Sequence, residues 1–222
     1  RFPPVKLLMD LLMKIPAKSV FPSYASGTFA RKFRKLRADQ ARYEKRVTYF
    51  HGCFVNYNDH QLGMDLVKVL NAMNMGVEIT REKCCGVPLI ANGYIEKAKA
   101  NALHNIRNLS ARKAATGGKI VSTSSSCSYA LKHEYSHFLD LDNGAIYNDV
   151  EYITKFLFDQ FEAGNIPDLK PVPLRVAYHS PCHLERQGGV IYTINVLKRI
   201  PGLDLVILHS ECCGIAGTYG FK

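Results

Sequence analysis

Lys83-Cys84-Cys85-Gly86-Val87-Pro88 and Glu211-Cys212-Cys213-Gly214-Ile215-Ala216 are two copies of one word, and the residues leading to them repeat as well. Ahead of the first lies Val47-Thr48-Tyr49-Phe50-His51-Gly52-Cys53. Ahead of the second lies Val176-Ala177-Tyr178-His179-Ser180-Pro181-Cys182. Thirty residues separate Cys53 from Cys84, and twenty-nine separate Cys182 from Cys212. Matched spacings with a shared Cys-Cys-Gly mark an internal duplication.

Between these anchors both copies carry the same order of elements. In the first, Leu62, Leu66, Val69, Leu70 and Met73 recur at helical spacing, Gly76 provides a stop, and Val77-Glu78-Ile79 is a short β-prone run. A second helix follows (Ile95, Ala98, Ala102, Ile106, Leu109), then Gly117-Gly118 and a strand, Lys119 to Thr123, that runs into Ser124-Ser125-Ser126-Cys127. In the second copy Val190, Ile194 and Leu197 mark the helix, Pro201-Gly202 ends it, and Leu203 to Leu208 is a strand. The pattern predicts an α/β fold of two repeated strand-helix-strand units with parallel sheets, the second copy truncated, preceded by a basic helical N-terminal segment. The expected boundaries are 1–46 for that segment, 47–142 for the first copy, 143–173 for a connecting helix and linker, and 174–222 for the second copy. The chain opens on Arg1 and stops in a glycine-rich stretch, so it reads as an internal piece of a longer protein.

Seven cysteines in 222 residues, four of them as adjacent pairs, do not suit a secreted disulfide scaffold. Neighbouring cysteines bridge only through a strained ring. Thiols kept for metal or redox chemistry in a reducing compartment fit better. Every cysteine lies just after a β-prone run, and the carboxyl ends of parallel strands share one edge, where ligands bind. Cysteines distant in sequence would therefore converge there. Thiolate is the soft ligand for iron–sulfur clusters and zinc. Neighbouring ligands on one compact group favour a multi-iron cluster over tetrahedral zinc. A repeated Cys-Cys-Gly is a poor match to small buried hydrophobes, although Cys127 alone would suit that role. His51 and His179 are placed either to hydrogen-bond sulfur or simply to pack; Tyr49 and Tyr178 read as core residues. Asn56, Asn58 and Asp59 are candidate caps for a helix from His60.

The composition is 47% hydrophobic and 22% charged, an ordinary globular profile with no apolar run long enough to span a bilayer. The formal charge of +10 is uneven: Arg31 to Arg46 holds eight basic and two acidic residues. With the apolar stretch Val5 to Ile15 before it, this segment suits an anionic membrane surface or a docking helix followed by a solvated connector. No nucleic-acid motif accompanies it, and no nucleic-acid partner is expected. Dinucleotide, Walker and Gly-x-Ser-x-Gly motifs are absent, which leaves no start for a nucleotide enzyme or a hydrolase.

The repeated Cys-x₃₀-Cys-Cys-Gly pattern resembles the cysteine-rich CCG domain of the heterodisulfide reductase B-subunit type. His51-Gly-Cys-Phe-Val-Asn-Tyr-Asn58, Lys83 to Gly93 and Ser210 to Phe221 carry the resemblance, which covers essentially the whole chain. It implies a non-catalytic electron-transfer subunit of an anaerobic respiratory complex. Electrons would come from flavin-containing catalytic subunits and pass toward membrane quinone, at the cytoplasmic face of a bacterial inner membrane. It implies an iron–sulfur cofactor held by cysteines, and ferredoxin-like sites upstream that this chain lacks. Cys182, Cys212 and Cys213 are the expected metal ligands of the second copy; Cys53, Cys84, Cys85 and Cys127 are the cofactor-binding candidates of the first. A full copy of the family pattern ends in Cys-x-x-Cys, where this chain has Cys127-Ser128-Tyr129-Ala130. The alternatives are a scaffold or membrane-docking module with vestigial cysteines, a thiol-disulfide or zinc protein, and a heterodisulfide reductase B-like thiol redox subunit.

Overall fold

The computed structural model describes residues 7, 8, 10–12, 22–209, 211 and 212. Cys213, and most of the apolar stretch from Val5 to Ile15, lie outside them. Two short helices come first, α1 (Phe29–Phe33) and α2 (Arg37–Gln40), followed by β1 (Lys45–Tyr49), α3 (Gly52–Tyr57), α4 (His60–Ala72) and β2 (Met75–Ile79). Next are α5 (Val87–Ala91), the long α6 (Ile95–Thr116), β3 (Ile120–Ser122) and α7 (Ser125–Tyr129). A π-helical turn, Ala130–Glu134, leads to α8 (Tyr135–His137), α9 (Gly144–Tyr147), β4 (Val150–Tyr152) and α10 (Ile153–Glu162). The second copy supplies β5 (Arg175–Tyr178), α11 (Cys182–Glu185), α12 (Val190–Lys198) and β6 (Asp204–Ile207).

The α/β reading with parallel sheets holds. Four strands pair in the order β2-β1-β3-β4, all parallel, and β5 pairs with β6 in parallel. The fourth strand of the first sheet, Val150–Tyr152, comes from the stretch that reads in sequence as a connector; three residues are too few to show a period. The strand alternation sorts the core into two layers. Val47, Tyr49 and Val121 face one side, with Phe29, Phe33, Leu66, Leu70 and Phe156. Phe50 and Ile120 face the other, with Ala98, Ala102, Leu109, Leu131, Tyr135, Cys85 and Cys127.

The basic stretch from residue 31 is more than a solvated connector. Phe29 and Phe33 are fully buried, and Gln40 Oε1 accepts from the Val77 amide at 3.0 Å. That bond satisfies an amide of β2, the edge strand, and covers an edge that would otherwise invite pairing. Of the three candidate caps, Asp59 does the capping: its Oδ1 accepts from the amides of Gln61 and Leu62. Asn56 and Asn58 tie down the N-terminal segment, through the Ala30 amide and the Ser23 carbonyl.

The two copies meet through their cysteine-bearing helices. His183 Nδ1 lies 2.8 Å from Ser126 Oγ, and its ring stacks on Tyr129 with centroids 5.2 Å apart. Gln187 donates to the Ser125 carbonyl at 3.1 Å, and Thr154 and Thr193 join α10 to α12 through their hydroxyls at 2.7 Å.

Candidate thiol centre

All four cysteines of the first copy come together at the carboxyl ends of its strands. Cys53 sits in the first turn of α3, after β1. Cys84 and Cys85 lie in the loop after β2, and Cys127 lies in α7, after β3. Cys53 and Cys84 border one cavity, and Cys84, Cys85 and Cys127 pack in one cluster. Cys85 and Cys127 are buried, Cys84 is half-buried and Cys53 is exposed.

The S–H groups of Cys53 and Cys85, with the Gly86 amide, hold the Cys84 thiol well below its usual range. Contact with the Cys85 thiol and the Ser124 hydroxyl lowers Cys127 as well. Cys53 and Cys85, which give those hydrogen bonds, are pushed up by them and by burial. Soft sulfur donors gathered from three strand ends suit a soft cation.

Two glycines make the geometry possible. Gly52 has φ +71°, and a Cβ there would come within 3.2 Å of the Cys127 sulfur, so only glycine lets the β1–α3 turn close over that thiol. Gly86 has φ +100°, a conformation that favours glycine, and its amide meets the Cys84 thiol. Beside Cys53 and Cys84 opens a cavity of about 350 Å³, lined also by His51, Glu82 and Asn101. The soft sulfur donors suit an iron–sulfur group in kind, and this space reaches two of them, Cys53 and Cys84, with Cys85 and Cys127 buried behind. Among the described residues, no set of three or more His, Cys, Asp or Glu is arranged to hold a single metal ion.

The supports were only partly visible beforehand. His51 packs edge-on against Phe29 and points Nδ1 at the Gly52 carbonyl (3.0 Å) and at Glu82 (3.1 Å). It therefore takes the packing role of its two readings. Burial lowers its pKa to about 4, so the ring is neutral. Glu82, unremarked in the sequence, accepts from the amides of His51 (3.2 Å) and Gly52 (2.5 Å), and burial raises its pKa well above the carboxylate range. Burial therefore disfavours the charged form of both groups beside the thiols. Asn105 is the other missed residue. Fully buried, it accepts from the Lys83 amide at 2.8 Å and donates to the Lys83 carbonyl and the Tyr135 hydroxyl, each at 3.1 Å. Its signal was a polar side chain on the apolar face of α6, in step with Ala98, Ala102 and Leu109.

The second copy is looser. Cys182 in α11 and Cys212 are exposed. His179 Nε2 lies 2.8 Å from the Glu211 carbonyl and links the end of β5 to the residue before Cys212. Ala130, at the position of the family's further cysteine, is fully buried. The π-helical turn that begins there has its Leu131 and Lys132 carbonyls capped by Asn143 at 2.7 and 3.0 Å.

The cysteine-rich domain family (CCG) matches residues 47–132 and 176–222. The C-subunit of the anaerobic glycerol-3-phosphate dehydrogenase of Escherichia coli K12 is 48% identical over 220 residues, 99% of this chain and 56% of that protein. The D-subunit of the dihydromethanophenazine:CoB–CoM heterodisulfide reductase of Methanosarcina barkeri is 31% identical over 77% of this chain and 43% of its own length. An uncharacterized iron-sulfur protein of Methanocaldococcus jannaschii is 29% identical over 78% of this chain and 32% of its own. The chain spans about half the length of its Escherichia coli relative. No solved structure matches it.

Proposed function

The chain belongs to the cysteine-rich CCG family, and from that premise we propose that it is the electron-transfer module of an anaerobic dehydrogenase, holding an iron–sulfur cluster of the four-iron class on Cys53, Cys84, Cys85 and Cys127. The observation that carries this is the convergence of four cysteines from three strand ends. Cys182, Cys212 and Cys213 are the corresponding ligands of the second copy. The bound cluster would supply one-electron chemistry. The protein's own part is positional. Gly52 and Gly86 bring backbone close to sulfur, and burial disfavours charge on His51 and Glu82 beside the centre. Asn105 locks the Cys84 loop.

The likeness to the Escherichia coli relative supports a place in anaerobic glycerol metabolism, with electrons arriving from flavin-containing catalytic subunits and leaving toward membrane quinone. No described helix is long and apolar enough to cross a membrane. Leu7, Leu8, Leu11 and Leu12 are 54–80% exposed, which supports peripheral attachment to an anionic membrane surface, on its cytoplasmic face.

Iron and acid-labile sulfide in anaerobically reconstituted protein, read with EPR, test the cluster. Bound iron is expected to fall on Cys84→Ser and Cys127→Ser. A folded protein that takes up no iron would leave the scaffold reading instead. Vesicle co-sedimentation with Leu8→Ser and Leu11→Ser tests attachment. A cut at residue 46 would not serve, because it strips Phe29 and Phe33 from the core.

A further inference from the structure

Away from the thiols, a cavity of about 790 Å³ opens between the α1–α2 segment, the end of β2 and α6. Arg31, Arg34 and Arg37 line it from the first, Arg81 from the second and Arg112 from the third. Among the described residues only Arg112 has a carboxylate, Glu78 at 3.5 Å, and Glu78 also serves Arg46 at 3.1 Å. The other four guanidinium groups have no ion pair there. Five like charges around one concavity repel each other, and the arrangement is stable when an anion occupies it. Thr80 adds a second observation: it lines the same cavity, and its buried Oγ1 has no hydrogen-bond partner. A buried hydroxyl without a partner costs stability unless something else supplies one.

We propose that this pocket binds a phosphate group, carried by a soluble phosphorylated molecule or by an anionic lipid headgroup. Guanidinium forks match phosphate oxygens in pairs, which lysines would not do. The Thr80 hydroxyl supplies an uncharged donor to the same group. The three arginines of the first wall belong to the sequence's basic run, and the fold sets them, still exposed, along the same concavity as Arg81 and Arg112. The pocket is independent of any cluster, although Arg81 adjoins Glu82, which holds the turn over the thiols.

The test uses the whole chain. Inorganic phosphate, titrated calorimetrically and in thermal unfolding at constant ionic strength, is expected to bind and to raise the unfolding midpoint where chloride does not. Arg34→Gln and Arg81→Gln should each weaken binding about tenfold, as loss of one charge-assisted hydrogen bond implies. Lys35→Gln, in the same run but outside the pocket, should leave it unchanged. Thr80→Val should weaken binding without lowering the midpoint in phosphate-free buffer, which separates a lost ligand contact from a lost fold. Co-sedimentation with phosphatidylglycerol rather than phosphatidylcholine vesicles, lost in the same arginine variants, identifies the source as lipid. Binding of phosphate with no vesicle dependence identifies a soluble ligand. Neither binding, or equal losses in Lys35→Gln and Arg34→Gln, would overturn the proposal, because diffuse charge would then explain it.

Discussion

The two copies share a sequence pattern and differ in how their strands are covered. In the first copy, β2 is buried along its whole length, and the chain from Val47 in β1 to Phe50 presents four consecutive buried residues to helices on both faces. In the second, β5 alternates exposed and half-buried positions, β6 is exposed at both ends and half-buried between them, and Leu174, Ile191 and Ile207 are 50–60% exposed. The same motif thus sits in a dry, clamped setting once and in an open one the second time. A repeated motif places its cysteines; the layers around them decide how tightly they are held.

The core contrast gives the largest expected effect. Leu109 is fully buried beneath the first thiol centre, so Leu109→Ala should cost about 2–5 kcal/mol in denaturant unfolding. Leu205, half-buried in β6, should cost about 1 kcal/mol when truncated in the same way. Equal costs would break the comparison at its base.

The clamps come next. Asn105→Ala leaves the Lys83 amide and carbonyl and the Tyr135 hydroxyl without their partner, a loss of about 2–3 kcal/mol. Cys84 and Cys85 should then react faster with a disulfide reagent. His179→Ala removes one exposed contact to Glu211 and should cost about 1 kcal/mol or less. If Asn105→Ala left thiol reactivity unchanged, the Cys84 loop would be held by something other than this side chain.

How much of this was legible follows from the kind of signal each residue carries. The strand ends and their cysteines were readable because repetition and period are properties of the chain itself, and parallel pairing then forces convergence. β4 was not, because Val150–Tyr152 is too short for a pattern and becomes a strand only by pairing with β3. Glu82 sits two residues before Cys84, yet its role depends on the Gly52 turn reaching it across the sheet edge, 30 residues away. Three of the five arginines of the proposed pocket read as part of a charged run in sequence; only folding brings them beside Arg81 and Arg112. His51 was ambiguous for the same reason: its neighbours Phe29 and Glu82 are brought to it by other elements.

The smallest effect is the sharpest test, because it predicts a difference of sign. Tyr49 and Tyr178 occupy the same place in the two copies, four residues before Cys53 and Cys182. The Tyr49 hydroxyl lies 2.8 Å from Thr123 Oγ1, just before Ser124, whose side chain caps the helix carrying Cys127. The Tyr178 hydroxyl is buried with no partner among the described residues. Tyr49→Phe should therefore cost about 1 kcal/mol, the net value of an ordinary hydrogen bond. Tyr178→Phe should cost nothing or stabilise slightly, since it removes a desolvated group that gains nothing by being there. Two-state denaturation of both variants measures the pair. Equal losses would mean that the second tyrosine has a partner after all and that the copies are bound alike at this position.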